Sequence, residues 1–176
     1  LFGTIFHQII EKVALKEINH INDVKMFLCQ SLTLLQADVF LNKMMQKDWN
    51  LKEILNFFNH KKTITAEKRL TLSINGVTIQ GRPDLIHTDS DGIEIIDVKT
   101  GQPPSLLDIK RFQYIQLGIY GMMAQKEYHI SKVTGSILSK NNNYHPMITH
   151  EKTKKSVIWQ EHKNELNHHL TNVINE

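Results

Sequence analysis

Cysteine is almost missing from this sequence. Of 176 residues only Cys29 carries a thiol, so an internal disulfide is excluded, and so is a four-cysteine zinc or iron–sulfur site built from this chain alone. A chain so poor in cysteine points to a reducing, cytoplasmic compartment. Long apolar runs are missing too. None approaches the roughly 18 residues that cross a bilayer, and no secretory signal opens the chain, so no membrane partner is expected. There is no G-x-x-x-x-G-K-[ST] phosphate loop, which places any ATP-driven motor elsewhere. The chain starts at Leu1 without methionine and reads as a piece of something longer. Excess charge is slight. Against 18 acidic residues stand 21 Lys and Arg, a net +3 that tilts only mildly toward anionic partners.

What is present is enough for one globular domain: 40% hydrophobic and 22% charged residues over a single-domain length. Residues 1–60 read as a helical region. Phe2, Ile5, Phe6, Ile9, Ile10 and Val13 recur at helical spacing, predicting a helix over 2–18, with others over 32–45 and 51–58. The segments 19–23 and 47–50 read as polar connections. From 61 to 140 the period changes. Residues 69–74 alternate and stop at Asn75-Gly76, a strong hairpin signal. Residues 77–88, a turn over 89–92 and residues 93–99 complete a three-strand antiparallel meander, ended by Pro103-Pro104. A helix is predicted over 105–126 and a strand over 132–139. Residues 141–155 read as a polar loop, and 159–174 as a terminal helix.

The chemistry gathers at Gly81-Arg82-Pro83-Asp84 and Asp97-Val98-Lys99-Thr100-Gly101. If the second turn closes with Thr88 opposite Ile93, Asp84 falls across from Asp97, with Cβ atoms about 4.5–5.5 Å apart. Carboxylates that close repel each other unless a cation sits between them. Lys99 shares the face of Asp97, while Val98 points the other way and offers its carbonyl oxygen. Two carboxylates and a carbonyl suit Mg²⁺ or Mn²⁺, and a nearby lysine stabilises developing charge. A plain Asp97–Lys99 surface ion pair is the competing explanation. The apolar setting of Ile93, Ile95, Ile96 and Val98 weighs against it, because lone buried charges are expensive. If Asn75-Gly76 is a two-residue loop, Glu67 lies opposite Asp84 as a possible extra acid, or else is a strand-edge surface glutamate.

These residues resemble the PD-(D/E)XK nuclease superfamily and, within it, the RecB-like nuclease domains. The matching pieces are Gly3-Thr4-Ile5-Phe6-His7, Gly81-Arg82-Pro83-Asp84, Asp97-Val98-Lys99-Thr100-Gly101 and Gln116-Leu117-Gly118-Ile119-Tyr120, in that order. The continuation through Pro103-Pro104-Ser105 resembles the C-terminal nuclease of AddB-type helicase–nuclease subunits. The resemblance implies a restriction-endonuclease-like α/β fold, a central mixed sheet carrying the meander and flanked by helices, preceded by the N-terminal helical region. It implies that His7, Asp84, Asp97 and the Val98 carbonyl bind Mg²⁺ or Mn²⁺, and that Lys99 assists the water nucleophile. Gln116 would orient Lys99 or the nucleophile, with Tyr120 one helical turn away; both are equally read as polar residues edging a packed helix.

The implied activity is a metal-dependent deoxyribonuclease, the exonuclease module of a helicase–nuclease complex in double-strand break repair and recombination. Its partners would be DNA and a helicase subunit, or a helicase-like region of the same longer chain. Lys110, Arg111, Lys152, Lys154 and Lys155 are candidate phosphate contacts. Many AddB relatives hold an iron–sulfur cluster on four cysteines; with Cys29 alone, none is expected here. Two other readings stand beside this one: a non-catalytic DNA-binding or docking module, and a free-standing structure-specific nuclease.

Overall fold

A computed structural model describes residues 2–45, 50–90, 92–100, 114–139 and 143–146. The expected phosphate contacts Lys110, Arg111, Lys152, Lys154 and Lys155 lie outside these residues. So do the expected terminal helix over 159–174 and the first part of the helix expected over 105–126.

Four helices come first: α1 (Phe2–Ala14), α2 (Ile21–Leu28), α3 (Leu34–Met45) and α4 (Leu51–Asn59). Helix α1 stops four residues short of the expected end. Lys16 is left-handed (φ 64°), and the Glu17 and Ile18 amides turn back to the Lys12 carbonyl at 2.9 and 3.2 Å. Helix α2 corrects the polar connection expected over 19–23, which contains its first turn. Asp23, a linker signal by composition, is the capping acid of its first turn: its carboxylate accepts the Asn19 and His20 amides at 3.1 and 2.9 Å.

Strands β1 (Thr63–Ala66), β2 (Leu70–Ile74), β3 (Val77–Gly81), β4 (Leu85–Asp89) and β5 (Gly92–Lys99) follow, then α5 (Tyr114–Tyr128), β6 (Val133–Ser139) and β7 (Asn143–Pro146). The five-stranded mixed sheet runs β1-β4-β5-β6-β7, and β2-β3 form a separate two-stranded sheet. Among the described strands only β5 and β6 pair in parallel, joined by the crossover that contains α5.

The expected meander is therefore interrupted. Its registers hold: Ile74 pairs with Val77 and Thr88 with Ile93. Strand β1, unforeseen, pairs with β4 in the same register that β2 keeps with β3, so the four strands are the two arms of one long hairpin. Its arms lose their pairing over 67–69 and 82–84, where Pro83 offers no N–H and Glu67 is left-handed (φ 50°). Beyond this break the hairpin's outer half leaves the main sheet. Strand β7 also corrects the expected loop: it pairs antiparallel with β6 from Asn143 opposite Ser139 to Pro146 opposite Ser136.

Strand alternation divides the core in two. Ile86, Ile93, Ile95 and Ile137 pack with Leu70, Leu72 and the α5 residues Leu117, Met123 and Ala124 on one face. Leu85, Ile96, Val98 and Leu138 pack on the other with Phe6, Ile9, Ile10, Phe40, Ile54 and Phe58 from the helical region. The sheet thus lies between α1–α4 and α5, the layering of a restriction-endonuclease-like α/β fold. Among the described residues no helix is long and apolar enough to cross a membrane.

Candidate active site

The β4–β5 ladder ends at Leu85 opposite Ile96. One step further, in the same register, stand Asp84 and Asp97. A second step brings Pro83 to Val98, where an ordinary ladder cannot continue. The Val98 amide instead donates to Asp84 Oδ2 at 2.6 Å. The proline before Asp84 thus ends the strand and leaves a neighbouring N–H for the aspartate to hold. A second backbone bond, Glu67 N–H to the Asp84 carbonyl at 3.0 Å, fixes the same residue from the β1 arm.

Asp97 is buried, its side chain 6% exposed, and Lys99 Nζ lies 3.0 and 2.8 Å from its two oxygens. The pair is no open surface ion pair. Burial pushes both carboxyls above the ordinary aspartate value. For Asp84 the Val98 amide opposes the rise, the Asp97 charge adds to it, and His7 and Lys99 counter it; for Asp97 the counterweights are Lys99 and His7.

Helix α1 brings His7 Nδ1 to 3.9 Å from Asp84 Oδ1. His7, Glu11, Glu67, Asp84, Leu85 and Val98 line a small cavity of about 20 Å³, the room one water or one small cation takes. Glu67 does reach the site, on the rim of this cavity, with its carboxylate 3.4 Å from Arg82 Nη1. Glu11 was not foreseen. Its signal was its place one helical turn after His7 on a helix already legible.

Helix α5 carries Gln116 and Tyr120, whose side chains bond each other at 3.3 Å. Among the described residues the polar partner of Gln116 is this tyrosine, not Lys99. The tyrosine ring lies over Gly81. A methyl group there would come to 2.5 Å from Tyr120 Cε1 and 3.2 Å from Met123 Sδ. Gly3 is placed in a similar way, its missing Cβ 3.3 Å from Thr100 Oγ1. The four sequence motifs therefore meet in space: α1 touches Asp84 through His7 and Thr100 through Gly3, and α5 touches the Gly81 strand through Tyr120.

Among the described residues no three His, Cys, Asp or Glu side chains converge closely enough to enclose a metal ion by themselves. The donor set nonetheless fits a hard divalent cation, which keeps several waters and needs only one or two carboxylates. Two adjacent carboxyls raised by burial, one of them also by its neighbour's charge, are an arrangement such an ion relieves.

The crystal structure of SSO0001 aligns at TM-score 0.36 and 16% identity, over 93% of this chain and 84% of that one. A likeness so distant carries no argument. No curated protein matches the sequence. The family comparison is decisive, because the match runs over residues 1–176, through every motif placed above. The chain belongs to the PD-(D/E)XK nuclease superfamily, whose members are nucleases that typically use divalent metal ions.

Proposed function

We propose that this chain is a Mg²⁺- or Mn²⁺-dependent deoxyribonuclease, the exonuclease module of an AddB-type helicase–nuclease assembly acting in double-strand break repair and recombination. One observation carries the hydrolytic reading: buried Asp97 and half-buried Asp84, neighbouring carboxyls both raised by burial, with Lys99 bridging the oxygens of Asp97. His7, Asp84, Asp97 and the Val98 carbonyl would hold the ion. Bound there, it supplies Lewis-acid polarisation of a phosphate oxygen and of the attacking water. Lys99 Nζ, 2.8 Å from Asp97 Oδ2, would turn an N–H donor to the phosphate oxygen on which charge develops. The water oxygen would form a bond to phosphorus and release a proton to solvent as the bond to the leaving sugar oxygen breaks and that oxygen takes a proton from solvent, so that one water is added across the P–O bond. Gln116 and Tyr120, bonded to each other on α5, would act as positioning residues. The order of the motifs and the sequence after Thr100 support the assignment to a helicase-linked module, with DNA and a helicase subunit or helicase-like region as partners.

Purified protein incubated with single- and double-stranded DNA and Mg²⁺ or Mn²⁺ tests the reading. Cleavage is expected in wild type, abolished by chelator, and reduced by about 10²-fold or more in Lys99→Ala. Cleavage that survives chelation, or equal rates in the two proteins, would overturn it.

A further inference from the structure

The outer half of the long hairpin has two unlike faces. Leu70, Leu72 and Ile79 pack toward α5. The other face presents Thr71, Ser73, Thr78 and Gln80, all exposed, with exposed Arg69 and Arg82 just beyond the last paired residues Leu70 and Gly81. Across residues 68–82 there is no Asp or Glu. Lys68 does not belong to the strip. Its ammonium is 3.0 Å from Glu127 Oε1 and bonds the Tyr128 hydroxyl, which fastens the hairpin to α5.

We infer that this strip is a track for the phosphodiester backbone of a DNA strand leaving the active site, a reading that rests on the nuclease function proposed above. Position argues for it first. Arg82 is two residues from Asp84, where the hairpin departs from the main sheet, and it pairs with Glu67, which lines the same cavity as Asp84, so the inner end of the strip adjoins the site. Chemistry argues for it second. Hydroxyl, amide and guanidinium donors without a carboxylate among them suit phosphate oxygens and carry no base-reading apolar element. Ser73 and Thr78 already exchange a hydrogen bond at 3.2 Å across the strands, so each keeps a lone pair or a proton for a ligand. Glu67 occupies one edge of the Arg82 guanidinium at 3.4 Å. That exposed pair is weak and leaves most of the five N–H donors available. Length fits as well: from Arg69 to Ile74 a strand rises about 17 Å. That is roughly five phosphates along one strand of B-form DNA.

The test measures DNA affinity against salt concentration in a Lys99→Ala background, so that the DNA stays intact during binding. Each lost phosphate contact lowers the slope of log affinity against log salt by roughly 0.7–0.9. Arg69→Ala with Arg82→Ala is expected to lower it by about 1.4–1.8 and to weaken binding about tenfold. Thr71→Glu with Gln80→Glu, in an otherwise wild-type chain, provides a second arm away from the metal-binding carboxylates. It is expected to slow cleavage of a long strand while leaving the rate on a dinucleotide unchanged. A wild-type salt slope in the arginine variant, or equal slowing on both substrates in the glutamate variant, overturns the track. If wild type still cleaves DNA in that case, the nuclease reading stands. If wild type neither binds nor cleaves DNA, both readings fall together.

Discussion

Asp84 is held by backbone on two sides, through the Val98 amide on its carboxylate and the Glu67 amide on its carbonyl. That grip keeps a carboxylate beside Asp97 although burial and the neighbouring charge both oppose it. The sign of the consequence follows from linkage. A carboxyl raised in the folded state binds its proton more readily there than in the unfolded chain. Without a divalent cation these two groups therefore lower stability at neutral pH. Stability is expected to rise as pH falls through their raised values, levelling near the ordinary aspartate value of 3.8. Asp84→Asn keeps an oxygen for the Val98 amide and removes the charge. It should flatten that part of the profile and leave the metal-free protein at least as stable at pH 7. Urea unfolding across pH without divalent ions is the measurement, and an unchanged slope in Asp84→Asn would contradict it.

Gly81 allows a second prediction about a single residue. A methyl group there meets the Tyr120 ring at 2.5 Å, so ring or helix has to move. Overpacking of this kind costs about 1–3 kcal/mol. Gly81→Ala is expected to lower the melting temperature by roughly 2–4 °C per kcal/mol in a chain of this size. Adding Tyr120→Leu should return most of the loss, because the collision needs both side chains. If the two effects simply add, the ring is not what Gly81 accommodates.

Between elements, a largely buried polar cluster does what apolar packing does elsewhere. Glu94 on β5 lies across from His87 on β4, accepts Ser136 Oγ from β6 at 2.7 Å, and pairs with Lys61, just after α4, at 2.6 Å. Burial alone would raise its carboxyl. The contacts with His87, Lys61 and Ser136 outweigh burial and hold it below the ordinary glutamate value. Its sign is opposite to that of the active-site pair: this stability is present above the usual glutamate range near 4.5 and is lost as pH falls through the lowered value. Breaking such a pair strands a buried charge, which costs about 3–5 kcal/mol. Lys61→Met is expected to fall in that range by urea unfolding, and Lys61→Met with Glu94→Gln to recover part of it. A double variant no better than the single would mean that packing, not charge, holds this junction.

The elements that were legible in the sequence are those whose signal is local. Asn75-Gly76 set the outer hairpin register, with both residues left-handed (φ 49° and 81°), and the turn after Asp89 set the inner one. Those two registers were enough to bring Asp84, Asp97 and Lys99 onto one face. The break at Pro83 was not legible as a break. On the other arm the break falls at left-handed Glu67, opposite Asp84. Glu67 carries no turn signature, and only the pairing of β1 with β4 shows that the arms resume. Helix α2 is too short for periodicity to announce, and β7 is a polar strand defined by its pairing with β6. His7 was visible as a motif, but its distance from Asp84 depends on how α1 lies against the sheet, a long-range fact.

At the scale of the whole molecule, the candidate ligands come from both sides of a layer boundary. His7 belongs to the helical region, whose Phe6, Ile9 and Ile10 pack against the sheet beside it, whereas Asp84 and Asp97 belong to the sheet. A divalent cation shared among them would tie α1 to β4 and β5, and its binding energy would then oppose global unfolding. A ligand at a concentration 100 times its dissociation constant stabilises by about 2.7 kcal/mol when it binds only the folded state. For a chain of this length that is roughly 5–10 °C in melting temperature. Mn²⁺ at saturating concentration is therefore expected to raise the melting temperature of wild type by about that amount. The shift should nearly vanish in Asp84→Asn and shrink in His7→Ala, whose own stability should change little because the side chain is half-exposed. Only a cation reaching across the boundary makes the response depend on α1 as well as on the sheet. A full shift in His7→Ala would confine the ion to the sheet carboxylates, and a full shift in Asp84→Asn would place it elsewhere.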